Sequence, residues 1–247
     1  MRLLVLSDIH ANMTALEAVL AALQGRWDKI VCLGDLVGYG PDPNEVVDKV
    51  RASAAATIRG NHDKAGCGID SAEDFNPVAK KAALWTMQQL RPENADYLRA
   101  LPSGPFQIDG VALLHGALNN EDEYVFSPAQ ALEGLLESPT QLTFFGHTHY
   151  QGGFSFRDNN LQVIHLKAGP GEASAVLQLD KSTRYLINPG SVGQPRDGDP
   201  RAACAIADLD HNVVEFWRVP YDVEGVQKRM LSAGLPEPLA LRLAIGR

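Results

Sequence analysis

Five of the seven histidines, His10, His62, His115, His147 and His149, lie in the short polar clusters SDIH, RGNHD, LHGA and GHTH. A further cluster, LGDLVG, contributes Asp35. Asp8 and His10 are two residues apart, as are His147 and His149, so on an extended segment each pair points to one side. Imidazole together with carboxylate suits divalent zinc, manganese or iron. The set holds too many nitrogen donors for a magnesium or calcium cage. A mononuclear site takes about three or four protein ligands. Asp8, His10, Asp35, Asn61, His115, His147 and His149 exceed that, and two metals sharing one carboxylate is the economical reading.

These residues are far apart in the chain, so the elements before them must bring them together. Each cluster closes an apolar run: Leu3–Leu6, KIVCLGD, AATIRGNHD, VALLHGA and LTFFGHTHY. Helical patterns intervene, in TALEAVLAAL with Thr14 and Glu17 spaced as a capping box, from about Asn44 to Arg51, in one or two helices over 77–100, and in PAQALEGLL. Strand alternating with helix implies a parallel sheet, whose carboxyl edge is where ligands bind. After residue 150 the texture changes to short runs (QGGFSF, LQVIHLKAG, SAVLQL, RYLINPGS, AACAIADL, VVEFWRV), expected to form a second, antiparallel sheet. A helical tail from Val223 follows. No repeat or linker divides the chain, which reads as a single domain over 1–247, with the motifs in 1–202 and a final strand and helical tail in 203–247.

In that order, D-x-H (Asp8, His10), G-D-x-x-G (Gly34, Asp35, Gly38), G-N-H-D (Gly60 to Asp63), H-G (His115, Gly116) and G-H-x-H (Gly146 to His149) resemble the five motifs of the calcineurin-like metallophosphoesterases. INPGSVGQPRDGDPRA (187–202) resembles the later motif of their compact bacterial and archaeal branch. The resemblance covers roughly residues 1–205. It implies an α/β fold of four layers, α-β-β-α, with two packed mixed sheets flanked by helices. It also implies the ligand sets: Asp8, His10, Asp35 and His149 for one metal, Asp35, Asn61, His115 and His147 for the other, with Asp35 bridging. The two divalent ions (manganese, zinc or iron) make the site net positive despite its acids. The implied reaction is attack of a metal-bridging hydroxide on a phosphodiester or phosphoanhydride of a small substrate, a dinucleoside polyphosphate among the candidates.

His62 is free of ligand duty, and as an imidazolium it would protonate the leaving oxygen. Some members of the branch carry cysteine there, so the histidine keeps alkyl esters and monoesters in play. Asp63 reads as an orienting or capping partner within the catalytic cluster. Arg59 reads either as a phosphate clamp or as half of a salt bridge. Ser191 and Arg196 are the remaining substrate-contact candidates. The loops GYGPDPN and AGCGIDSAEDFNP are candidate pocket rims, whereas His165 and His211 read as strand-face and turn residues.

Composition bounds the alternatives. The 247 residues are 45% apolar and 21% charged, with a net charge of −8, which disfavours long nucleic acid and anionic membranes as partners. Three widely spaced cysteines read as reduced thiols, and the short apolar start MRLLVL as too brief for a signal peptide core, so a cytoplasmic location is expected. Leu239, Leu241 and Leu243 in the tail suggest a docking surface or a homodimer. A protein phosphatase or phosphomonoesterase is the second enzyme reading, weakened because GDLVGYG stands where D-x-x-D-R-G would be expected. A non-catalytic scaffold of the same fold is the third, weakened because no ligand is missing.

Overall fold

The computed structural model describes residues 1–166, 168–169 and 171–247. The chain begins β1 (Arg2–Leu6), α1 (Met13–Ala22), β2 (Lys29–Cys32), α2 (Pro43–Ser53) and β3 (Ala54–Thr57), followed by α3 (Asn61–Cys67), α4 (Pro77–Gln89) and α5 (Pro92–Ala100). Next come β4 (Phe106–Ile108), β5 (Val111–Leu113), α6 (Pro128–Glu137) and β6 (Leu142–Phe144). Strands β7 (Gly152–Arg157), β8 (Asn160–Ile164), β9 (Ser174–Gln178), β10 (Arg184–Asn188), β11 (Ala202–Asp208) and β12 (Val213–Val219) lead to α7 (Val223–Ser232) and α8 (Glu237–Leu243). Of the run expected as a strand over 161–169, β8 takes only the start, and Lys167 lies outside the described residues.

Two six-stranded mixed sheets result, β3-β2-β1-β11-β12-β9 and β4-β5-β6-β10-β7-β8. Contrary to the expectation of a separate antiparallel sheet, the strands after residue 150 are shared between the two. The parallel trio β1–β3 leaves an edge of β1 unpaired, and β11 fills it antiparallel, Leu4 opposite Ile206. β10 does the same for β6 in parallel register, Leu186 opposite Thr143. Unpaired backbone groups inside a protein are costly, so each half-sheet recruits its missing neighbour.

Alternation along β1 sorts the layers. Leu3 and Val5 join Val31, Leu113, Phe144, Ile187 and Phe216 between the sheets. Leu4 and Leu6 face outward against Leu16, Val19 and Val47 of α1 and α2. α6 covers the far face of the second sheet through Ala131 and Leu135 on Phe154 and Leu186. Both faces of the central strands are therefore buried, which is why they read as continuous apolar runs.

Local chemistry sets the ends of the helices. Asn12, rather than the Thr14–Glu17 pair, caps α1: its side chain accepts from Ala15 N (3.1 Å) and donates to the Gly193 carbonyl (3.0 Å). Pro43, fitted to the first helical turn, starts α2 one residue before Asn44. Residues 77–100 form two helices, since Leu90 and Arg91 turn extended ahead of Pro92. In the tail, Leu239 and Leu243 are buried against Tyr39, Ala79 and Ala82; Leu241 alone of the three is exposed, at 58%. The apolar tail thus closes over its own chain, and two of the three residues expected on a docking surface are unavailable for one.

Candidate metal centre

The predicted ligands meet where the carboxyl ends of β1, β2, β5 and β6 converge. They do so through turns, not through extended segments. Asp8, His10, Asp35, His147 and His149 all have positive φ, between 49° and 65°. That region costs a non-glycine residue about 1–2 kcal/mol. Five such residues in one site mean that the surrounding fold enforces the geometry. Gly60 and Gly38 make room for it: a Cβ at Gly60 would lie 2.2 Å from Asp35 Oδ1, and one at Gly38 2.5 Å from His62 Nδ1.

Two donor groups form. Asp8, His10, Asp35 and His149 have ligand atoms within 4.8 Å of one another, and so do Asp35, His115 and His147. Asp35 belongs to both. Its buried Oδ2 has no hydrogen-bond donor and lies 3.6 Å from His10 Nε2 and 3.5 Å from His115 Nε2. Asn61 Oδ1 is 3.3 Å from His115 Nε2, which puts the neutral amide in the second group.

Backbone carbonyls orient the imidazoles. His10 Nδ1 is held by Val37 O (3.0 Å), His115 Nδ1 by Leu33 O (2.8 Å) and His149 Nδ1 by Gln194 O (2.6 Å). For neutral rings these contacts place the proton on Nδ1 and leave Nε2 as a lone pair. His10 Nε2 and His149 Nε2 then face each other at 3.1 Å. Two lone pairs at that distance repel unless a cation lies beside both, so the residues present fit a bound metal. His147 is held the other way round, through Nε2 and Asp122 O (3.1 Å), which frees its Nδ1.

The electrostatics agree. Burial alone would raise the pKa values of Asp8 and Asp35, but adjacent histidines hold both carboxyls below the usual carboxylate range. Burial drives His10 well down, and burial with His115 lowers His147 to about 3. His115 goes the other way: Asp35 outweighs burial and raises it to about 10. A proton there offsets part of the buried negative charge, the same service a divalent cation performs more fully.

A family model described as the calcineurin-like phosphoesterase superfamily domain matches residues 1–212. The chain belongs to this superfamily. An uncharacterized protein of Methanocaldococcus jannaschii is 36% identical over 98% of this chain and 97% of its own. The metallophosphoesterase of Sphaerobacter thermophilus is 43% identical, with a TM-score of 0.84 over 100% of this chain and 99% of that one. A hypothetical protein of Pyrococcus horikoshii shares the fold at 21% identity, TM-score 0.78, over 100% and 98% of the two chains. Membership makes the chain a phosphohydrolase by family, with buried Asp/His groups able to bind metal ions.

Around this phosphoesterase centre the other expected residues separate. His62 is buried, its ring packed by Tyr39 (4.3 Å), Phe75 (4.6 Å) and His10 (4.9 Å), while its backbone N–H donates to Asp35 Oδ1 (2.8 Å). It was expected as an imidazolium; burial lowers it to about 4, so the ring is neutral at pH 7. Asp63 accepts from Leu36 N (2.8 Å), Val37 N (3.2 Å) and Gly60 N (3.0 Å), which makes it a cap and a splint and keeps it from the reacting atoms. The guanidinium of Arg59 clasps Glu121 (2.9 Å), so the salt-bridge alternative prevails over the phosphate clamp. Ser191, expected to contact substrate, is fully buried: its hydroxyl donates to Asp8 O (2.7 Å) and accepts from Gln194 N (2.8 Å). Arg196 does reach the site, with Nη2 3.4 Å from Tyr39 Oη.

A cleft of about 390 Å³ opens over the centre, lined by Tyr39, Asn61, His62, Phe75, Tyr124 and His147 among others. Both loops expected as rims contribute, through Tyr39 and through Asp70, Asp74 and Phe75. The sequence reading missed a third segment, residues 117–126. Its Asp122 carbonyl holds His147, and the Tyr124 ring stacks on the same imidazole at 3.9 Å. Lys64 anchors this segment through Asp122 (2.6 Å) and Glu121 (3.2 Å). Its one sequence signal is a run of three acids, Glu121 to Glu123, followed by Tyr124 and Phe126, which lacks any periodicity to mark it.

Proposed function

We propose that the chain is a two-metal phosphoesterase that hydrolyses phosphodiester or phosphoanhydride bonds of small, nucleotide-like substrates. The observation that carries this reading is the shared, unpartnered Asp35 Oδ2 between two histidine-rich groups, one of which sets two imidazole lone pairs face to face. Asp8, His10, Asp35 and His149 would hold one ion and Asp35, Asn61, His115 and His147 the other; manganese, zinc or iron suits the mixture of nitrogen and oxygen donors. Bound, such ions supply an activated water and neutralise charge on the phosphoryl oxygens.

The chain's own residues do the rest. The Asn61 amide fills a ligand position without adding negative charge. His62 lies beside the centre on the cleft wall, where it takes up a proton with the anionic substrate and passes it to the leaving oxygen. Tyr39 and Phe75 wall the ring away from solvent, so the proton goes to substrate rather than to bulk water. The net charge of −8 supports a small substrate over long nucleic acid or a membrane, and a dinucleoside polyphosphate fits that class. Three buried, unpaired cysteines support a reducing, cytoplasmic setting.

The test is turnover of metal-stripped and manganese-reloaded protein on bis-p-nitrophenyl phosphate and p-nitrophenyl phosphate. We expect reloading to restore cleavage, with the diester well ahead of the monoester. A monoester preference would reassign the protein as a phosphatase. No turnover of these or of a dinucleoside polyphosphate with any of the three metals would favour the scaffold.

A further inference from the structure

We infer that Arg196 and Arg242 form, beside the metal centre, a subsite for a second phosphate of the substrate. The inference rests on the phosphoesterase reading and narrows it to substrates with a phosphoanhydride chain. Most arginines near the site are neutralised: Arg59 by Glu121, Arg201 by Asp199, Arg218 by Asp197 and Arg229 by Asp42. Among the described residues, Arg196 and Arg242 pair with no carboxylate side chain. They converge instead on one neutral acceptor, Gln194 Oε1, at 3.2 Å and 3.5 Å, and Arg242 Nε also donates to the main-chain oxygen of the last residue, Arg247. Arg196 Nε is buried without a partner. Two guanidiniums sharing one amide oxygen repel each other, and a buried donor left unbonded is costly. An anion between them relieves both, and a phosphate matches the fork geometry of arginine.

Their position suits a substrate already seated at the metals. Arg196 Cζ lies 5.8 Å from the centre of the Tyr39 ring, which packs tilted against His10 (4.6 Å) and His62 (4.3 Å). Arg242 lines a hollow of about 280 Å³ with Tyr39, Asn76 and Ala79, and those three residues also line the main cleft. A chain of phosphates leaving the centre past Tyr39 therefore meets the arginines. The main cleft itself carries Asp70, Asp74 and Asp122, which disfavour a second phosphate beside them.

Two measurements test this. Calorimetric titration with inorganic tripolyphosphate and with orthophosphate reads binding whether or not catalysis occurs. We expect tripolyphosphate to bind the wild type at least tenfold tighter than orthophosphate. Arg242→Gln should reduce that preference by about ten- to a hundredfold, and Arg242→Lys should restore part of it. The second measurement is kcat/KM on diadenosine tetraphosphate relative to bis-p-nitrophenyl phosphate in manganese-loaded protein. Arg242→Gln should lower this ratio by a similar factor, mainly through KM. Equal binding of the two inorganic anions, or an unchanged ratio in the variant, overturns the subsite. If the wild type cleaves neither ester, the phosphoesterase reading fails while the tripolyphosphate titration still decides whether the anion site exists.

Discussion

His62 shows how a single side chain can be chemically ready yet electrically quiet. Its ring is buried among Tyr39, Phe75 and His10, and burial keeps it neutral. If it hands a proton to the leaving oxygen, its worth depends on how badly that oxygen needs one. Replacing His62 by Asn should slow cleavage of an alkyl phosphodiester by about 10²–10⁴-fold and cleavage of a nitrophenyl diester far less. Matched kcat measurements on the two esters check this; equal losses would assign His62 to positioning. Ser191 and Arg59 carry the complementary lesson. Both looked like substrate contacts by residue type, and both are spent on the protein itself, one on the Asp8 carbonyl and the other on Glu121.

At the scale of elements, the site depends on how each strand ends. The turns after β1, β2 and β6 hold non-glycine residues at positive φ, which local propensity opposes. Asp63 is one of the groups that hold them there, because it ties the first turn of α3 to the loop after β2 through three backbone N–H groups. Burial, with Asp35 nearby, raises its carboxyl to about 7, so the splint itself carries electrostatic strain. Asp63→Ala would orphan three buried donors. We expect it to lose about 3 kcal/mol or more of stability in urea denaturation. Asp63→Asn, which keeps one acceptor and removes the charge, should lose clearly less. A fully stable Asp63→Ala protein would refute the structural role.

At the scale of the whole molecule, α7 and α8 return across the fold to the site loops. Leu239 and Leu243 bury against Tyr39, Ala79 and Ala82, so the tail braces the same tyrosine that packs on His62. Leu239→Ala should cost about 2–5 kcal/mol, read from the denaturation midpoint, without altering the mass of the particle in light scattering. A change in oligomeric state with little loss of stability would restore the docking reading of the tail. No helix among the described residues is long and apolar enough to cross a membrane.

The clustering of Asp8, His10, Asp35, His115, His147 and His149 was legible in the linear chain, because metal chemistry demands particular residue types and because apolar runs ending in polar clusters announce strand ends. The four-layer fold was legible through the resemblance that the five motifs carry. The sharing of the late strands between two sheets was not, since hydrogen-bond demand at a sheet edge is satisfied by whichever strand is near in space, and β11 and β10 look alike as apolar runs. Nor was the route by which Asp8 and His10, or His147 and His149, come to share a site: positive φ enforced by packing replaced the simple alternation of a strand. The fates of Arg59 and Ser191, and the convergence of Arg196 with Arg242, belong to tertiary structure alone, whereas the capping role of Asp63 was already legible. A polar side chain serves the ligand or the fold according to which partner folding leaves within hydrogen-bond reach, and residue type does not specify that distance.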